Sequence, residues 1–229
     1  VALSGCNGGG SSSGGSSGPA PVTTDTTVTG VAMAGPFSSG QVCAYQVVNG
    51  AQGGQLACAQ IDPADSSFSV NVQSYEGDVV LAVLAGAVYD DEATPGLDTT
   101  ALTAPLRSFV TVSGGQISVA LTPMTEAAIR LATGLNGAAI HAAAQQLAAA
   151  YGLTATGFDL FATLPRATVA DVLQEAYRQA LGFMSGLQAG SGMGLDAYLN
   201  GLNQAGLGQY AQQVQAYISA HLPSHCSFT

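Results

Sequence analysis

Four cysteines, at positions 6, 43, 58 and 226, are the residues of this chain whose chemistry depends most on what stands beside them. Between Cys43 and Cys58 runs Asn49-Gly50-Ala51-Gln52-Gly53-Gly54, rich in residues that tolerate positive φ and so suited to closing a β-hairpin. With a loop over 49–52, Val48 faces Gly53 and Cys43 falls opposite Cys58. The register then predicts a cross-strand disulfide, against the alternative of two reduced, buried thiols. Cys226 is left over as a free thiol, as a link between molecules, or as a partner for Cys6.

Asp90, Asp91 and Glu92 form an acidic loop that could offer oxygens to calcium, with Asp62, Asp65 or Asp98 as further donors. The ordered D-x-[DN]-x-[DN]-G spacing is missing, so a solvated acidic loop is the plainer reading. His221, His225 and Cys226 have spacings that suit a transition metal, but Pro223 interrupts the helix that would align them and a fourth ligand is not evident. A frayed C-terminus explains them better. His141 lies beside an alanine stripe and reads as a partly exposed helical histidine rather than a general base. The chain has no G-x-S-x-G elbow between a strand and a helix, no H-E-x-x-H, no phosphate loop and no C-x-x-C-H. The expectation is of no catalytic residues, no cofactor and no enzyme.

The elements that must position these residues fall into two halves. From Val22 to Thr122, short runs of Val, Ile, Thr, Phe and Tyr alternate with Gly, Pro, Asp and Asn clusters. They predict seven strands, over 26–34, 41–48, 55–61, 67–73, 78–85, 106–112 and 115–121. At Leu121-Thr122-Pro123 the period changes from two to about 3.6, with Thr122 a suitable N-cap and Pro123 a suitable first helical residue. Helices are predicted over 123–134, 137–151, 168–188, 193–204 and 207–222. In the third, Val169, Val172, Leu173, Ala176, Tyr177, Ala180, Met184 and Leu187 form an apolar stripe, and Thr168 with Asp171 supplies its start. The expected class is α+β: a seven-stranded antiparallel β-sandwich over 26–121, then a C-terminal α-helical bundle over 122–229.

Leu3-Ser4-Gly5-Cys6 resembles a bacterial lipobox, and a glycine and serine run from Asn7 to Gly18 follows it. The resemblance implies that residues 1–5 end a signal peptide, that Cys6 carries the lipid, and that residues 6–25 are a tether. Asn7, where an aspartate would favour the inner membrane, points to the outer one. Val28-Thr29-Gly30-Val31, Gly40-Gln41-Val42-Cys43-Ala44-Tyr45, and Ile61-Asp62 through Ser67-Phe68-Ser69-Val70 resemble the carboxypeptidase-regulatory-like, transthyretin-like sandwich. That likeness implies a rigid spacer or binding module.

Composition argues against nucleic acid as a partner. Of 229 residues 47% are hydrophobic and 8% charged, against an ordinary charged share of about 25%. Fourteen acidic residues face four arginines, for a net charge of -10, which phosphate backbones would repel. The expected function is a non-enzymatic lipoprotein of the outer membrane or cell surface, lipid-anchored, with a structural, adhesive or self-assembling role as a filament or surface layer. Its partners are copies of itself or another envelope component. The alternative is a tethered binding module for a glycan, a small ligand or an envelope protein; an exported hydrolase ranks third.

Overall fold

The computed structural model describes residues 25–91, 99–166 and 171–221. Within them the chain is a mixed α+β protein of ten strands and five helices. The strands are β1 (Thr26–Ala32), β2 (Phe37–Ser39), β3 (Gln41–Val48), β4 (Ala51–Gln60), β5 (Ser67–Val72), β6 (Gly77–Val83), β7 (Val88–Tyr89), β8 (Thr100–Ala101), β9 (Leu106–Val112) and β10 (Gly115–Leu121). The helices are α1 (Pro123–Leu131), α2 (Gly137–Ala150), α3 (Val172–Ser191), α4 (Leu195–Ala205) and α5 (Leu207–His221). Among the described residues, no helix is long and apolar enough to cross a membrane.

The strands form three sheets in the orders β10-β1-β5, β4-β3-β6-β9 and β2-β7-β8. Two features correct the expected seven-stranded antiparallel sandwich. First, β2, β7 and β8 are two or three residues long, too short to leave a periodic signal, and they make a small sheet of their own. Second, β1 and β10 run parallel, from Thr26 opposite Gly115 to Ala32 opposite Leu121. At Gly30 the neighbouring chain comes so close that a Cβ would sit 2.0 Å from the Val119 carbonyl oxygen and 2.4 Å from the Phe68 ring. Only glycine fits there.

Alternation along β6 shows how the layers are arranged. Val79, Leu81 and Val83 join Val28, Val70 and Val119 of the opposing sheet in one core, while Val80 points the other way. There it meets Phe109 and Ala120 and the helical residues Met124, Ala128, Ile140, Leu147 and Tyr177. The four-stranded sheet is therefore covered on both sides. The helices do not form the self-contained bundle that was expected, since strand residues complete their core.

Local chemistry explains the helix starts. Thr122 caps α1 by accepting from the Thr125 amide, Thr125 returns the bond to the Thr122 amide, and Pro123 takes the first turn. Asp171 caps α3 through the amides of Leu173 and Gln174, whereas Thr168 lies outside the described residues. The apolar stripe of α3 is shorter than expected: Tyr177, Ala180 and Met184 are buried, but Val172 is 81% exposed at the first turn.

One buried group stands out in the strand core. Ser108 is fully buried, and its Oγ is the one buried side-chain oxygen or nitrogen without a hydrogen-bond partner among the described residues. An unpaired buried hydroxyl costs about 1–3 kcal/mol, so Ser108→Ala should raise stability by about 1 kcal/mol after the small loss of packing. Urea unfolding of the two proteins checks this. An equal or lower midpoint for the alanine variant would mean the hydroxyl is satisfied in solution.

Candidate functional site

The cysteine pair predicted from register is present. Cys43 and Cys58 face each other across β3 and β4, disulfide-bonded, with their Cα atoms 4.1 Å apart. The expected hairpin loop is not the observed one. Val48 pairs with Ala51, so Asn49 and Gly50, both at positive φ, make a two-residue turn, and β4 starts four residues earlier than expected. Two irregularities, between Ala44 and Tyr45 and between Tyr45 and Val47, then shift the register back, so that Cys43 meets Cys58 after all. Closing a loop of about 15 residues is worth about 3 kcal/mol in the chain-entropy account. Replacing both cysteines by alanine should lower unfolding free energy by about that amount in denaturant melts, and a loss below about 1 kcal/mol would show that the bridge constrains little.

The remaining candidates do not converge. Asp90 is exposed and its amide binds the Pro36 carbonyl; Asp91 is buried; Glu92 and Asp98 lie outside the described residues. Asp62 and Asp65 serve the turn before β5, accepting from the amides of Ala64 and Ser67 respectively. The hydroxyl and amide of Ser67 hold the Asp65 carboxyl below its ordinary pKa. Among the described residues no group of three or more His, Cys, Asp or Glu is placed to hold a metal ion. His221 is exposed, stacked on Tyr217 at 3.9 Å between ring centroids, with Nδ1 2.8 Å from the Tyr217 carbonyl. His225, Cys226 and Cys6 lie outside the described residues. His141 is exposed on α2, its ring at right angles to those of Phe109 and Phe161.

A polar cluster that the sequence reading passed over joins three elements. Glu126 of α1 is fully buried. Its Oε2 accepts from both the amide and Nε of Arg107 on β9, and its Oε1 accepts from Arg107 Nη2 and Arg130 Nε, all at 2.6–2.9 Å. Arg130 continues to α4, donating from Nη2 to Asp196 at 2.7 Å and from Nη1 to Asn200 at 2.8 Å. Burial works to lower the Arg130 pKa, but the hydrogen bonds and charges of Glu126 and Asp196 outweigh it and hold the guanidinium above its ordinary value. A carboxylate accepting four hydrogen bonds has no lone pair directed at a substrate, so the cluster works as a staple between sheet and helices. The signal that could have revealed it is the Glu126–Arg130 spacing of four in a chain with four arginines and no lysine.

A second cluster lies in the helical core. The hydroxyls of Tyr151 and Tyr210 hydrogen-bond to each other, and Tyr198 donates to Tyr210 at 3.4 Å. Tyr177 shares a hydrogen bond with Thr122 Oγ1 at 2.7 Å and donates to the Leu160 carbonyl. These phenols satisfy one another and the backbone inside an apolar surround, an arrangement that fixes packing and supplies no nucleophile. In comparisons with known protein families, curated proteins and solved structures, none matches the chain.

Proposed function

We propose that the chain is a non-enzymatic envelope lipoprotein, anchored by lipid at Cys6 and held off the membrane by its glycine and serine tether, whose folded body is a structural element that associates with copies of itself. On this reading the strand half is a carboxypeptidase-regulatory-like sandwich elaborated by the three short strands, and the helices are its bracing layer. The observation that carries the proposal is β4. It is ten residues long, Ala51-Gln-Gly-Gly-Gln-Leu-Ala-Cys-Ala-Gln60, ends its sheet with β3 as its one ladder partner among the described strands, and bears neither a charge nor a proline. Ala51, Gln52, Gly54 and Gln55 are exposed, and Val48 beside the turn is 48% exposed. Edge strands are commonly guarded by charge, proline, brevity or bulges; β4 lacks the first three, and its two irregularities against β3 are the one device of this kind that it carries. An edge of this kind can accept a strand from a neighbour.

The test is size-exclusion chromatography and negative-stain microscopy of the intact chain carrying Cys226→Ser, which removes any joint through that thiol and leaves the Cys43–Cys58 bridge of β4 in place. Ordered oligomers that dissolve when Gln52 and Gln55 are both changed to lysine support the proposal. A monomer at every concentration, or assemblies indifferent to the two lysines, would overturn it.

A further inference from the structure

Beside α2 lies a cavity of about 210 Å³, far larger than the roughly 10–15 Å³ that one water needs. One wall is the α2 face carrying His141 and, one turn on, Gln145. The other is the segment after the helix, with Thr154, Phe158, Asp159 and Phe161. That segment is irregular, yet it is pinned at several points. The Leu153 amide donates to Ala148, the Ala120 amide of β10 donates to the Phe161 carbonyl at 2.7 Å, and Tyr177 holds the Leu160 carbonyl. Asp159 Oδ1 accepts from the amides of Phe161 and Ala162. The cavity is thus built before any ligand arrives. Long irregular connections with this much internal bonding are usually functional.

Three of the polar side chains that line it, His141, Gln145 and Thr154, are exposed. Among the described residues, the side chains of His141, Gln145 and Thr154 take part in no hydrogen bond. Together with the second oxygen of Asp159 they present donors and acceptors of mixed kind above a floor that includes the buried Phe161, with the half-buried Phe158 at one side. No lysine or arginine lines the cavity, and the chain carries a net charge of -10, which disfavours an anion. One carboxylate falls far short of the six to eight oxygens that calcium takes. A neutral ligand that presents mainly hydroxyls fits both facts.

We infer that this cavity is a binding site for a neutral sugar unit, with Gln145, His141, Thr154 and Asp159 bonding its hydroxyls. The site is independent of assembly through β4: it lies on the helical side and needs no second copy. Saturation-transfer NMR with the intact chain tests it, using methyl glycosides of glucose, galactose, mannose and N-acetylglucosamine, with glucuronate as the charged control. Because the ligand is observed, assembled and monomeric protein both report, so this test can fail without touching the assembly proposal. The expected result is transfer to at least one neutral glycoside, with dissociation constants on the order of millimolar. Gln145→Ala should weaken binding about fivefold, the loss of one hydrogen bond. Ala155→Trp, at an exposed lining position, should fill the cavity and abolish transfer. No transfer from any neutral sugar, equal transfer in wild type and both variants, or equal binding of glucuronate would each overturn the inference.

Discussion

Raising the pH is expected to unfold this protein in one cooperative step, with five of its eight tyrosines ionising only as the fold is lost. Burial raises the Tyr89 phenol to about 12, with the charge of Asp91 adding to it. Burial likewise pushes Tyr151, Tyr177, Tyr198 and Tyr210 above their ordinary value, and charge on a neighbouring tyrosine raises Tyr151, Tyr198 and Tyr210 further. Below about pH 10 both the folded and unfolded chains keep these protons, and stability is unaffected. Above it the unfolded chain sheds protons that the folded chain retains, so unfolding is drawn forward as the pH rises toward the folded values. Each such tyrosine contributes up to about 1.4 kcal/mol per pH unit, and five together about 7. A domain with an ordinary 5–15 kcal/mol of stability is exhausted within about one to two pH units. Tyrosinate absorbance and far-ultraviolet circular dichroism followed through the same titration should change together. A tyrosinate signal that completes while the dichroism stays native would show that these phenols are not held from water.

The second large effect is expected at Glu126. Changing it to alanine leaves Arg107, 28% exposed, without its carboxylate, and Arg130, 12% exposed, with Asp196 as its remaining counter-charge, both turned toward the cavity that the side chain vacates. Breaking a buried pair from one side costs about 3–5 kcal/mol. For a chain of this size that is a fall of about 6–20 °C in melting temperature. Replacing Glu126, Arg107 and Arg130 together by leucine or methionine should recover most of the loss, because the desolvation cost disappears with the charges. Asp196→Ala, at the more exposed end, should cost about 1 kcal/mol or less. Scanning calorimetry of the three variants decides the matter: if Glu126→Ala melts with the wild type, the staple does not hold the sheet to the helices.

Much of this architecture is legible in the sequence because periodicity reports burial directly. All seven expected strands and all five expected helices have counterparts, and the change of period at Thr122-Pro123 marks the first helix start. What escaped the reading depends on distance along the chain. The parallel pairing of β1 with β10 leaves no local trace, since each strand alone looks the same whichever way its neighbour runs. The hairpin loop was misplaced because Ala51-Gln-Gly-Gly reads as loop by composition, although Asn49-Gly50 alone suffices to turn the chain. The disulfide survived that error because two bulges compensated for it. The Glu126 cluster was missed because its arginine on β9 lies 19 residues away, where helix spacing rules do not reach. The cavity beside α2 was missed for the opposite reason: His141 was judged against its own helix, and the segment that returns past it carries no periodic signal.

The parallel pair of β1 and β10 also governs the order in which the molecule can come into being. β1 is the first described strand, yet one of its two partners begins at Gly115, and the glycine at position 30 makes that closure tight. Hairpin partners such as β3 and β4 can meet early and β1 can pair with β5, whereas the second side of β1 stays open until β10 folds back. Because Ala120 of β10 joins Val80 and Phe109 in the helical core, seating β10 also finishes the platform that β6 and β9 offer the helices. The last strand of the sheet half therefore closes both layers at once, and a chain released before residue 121 has neither finished.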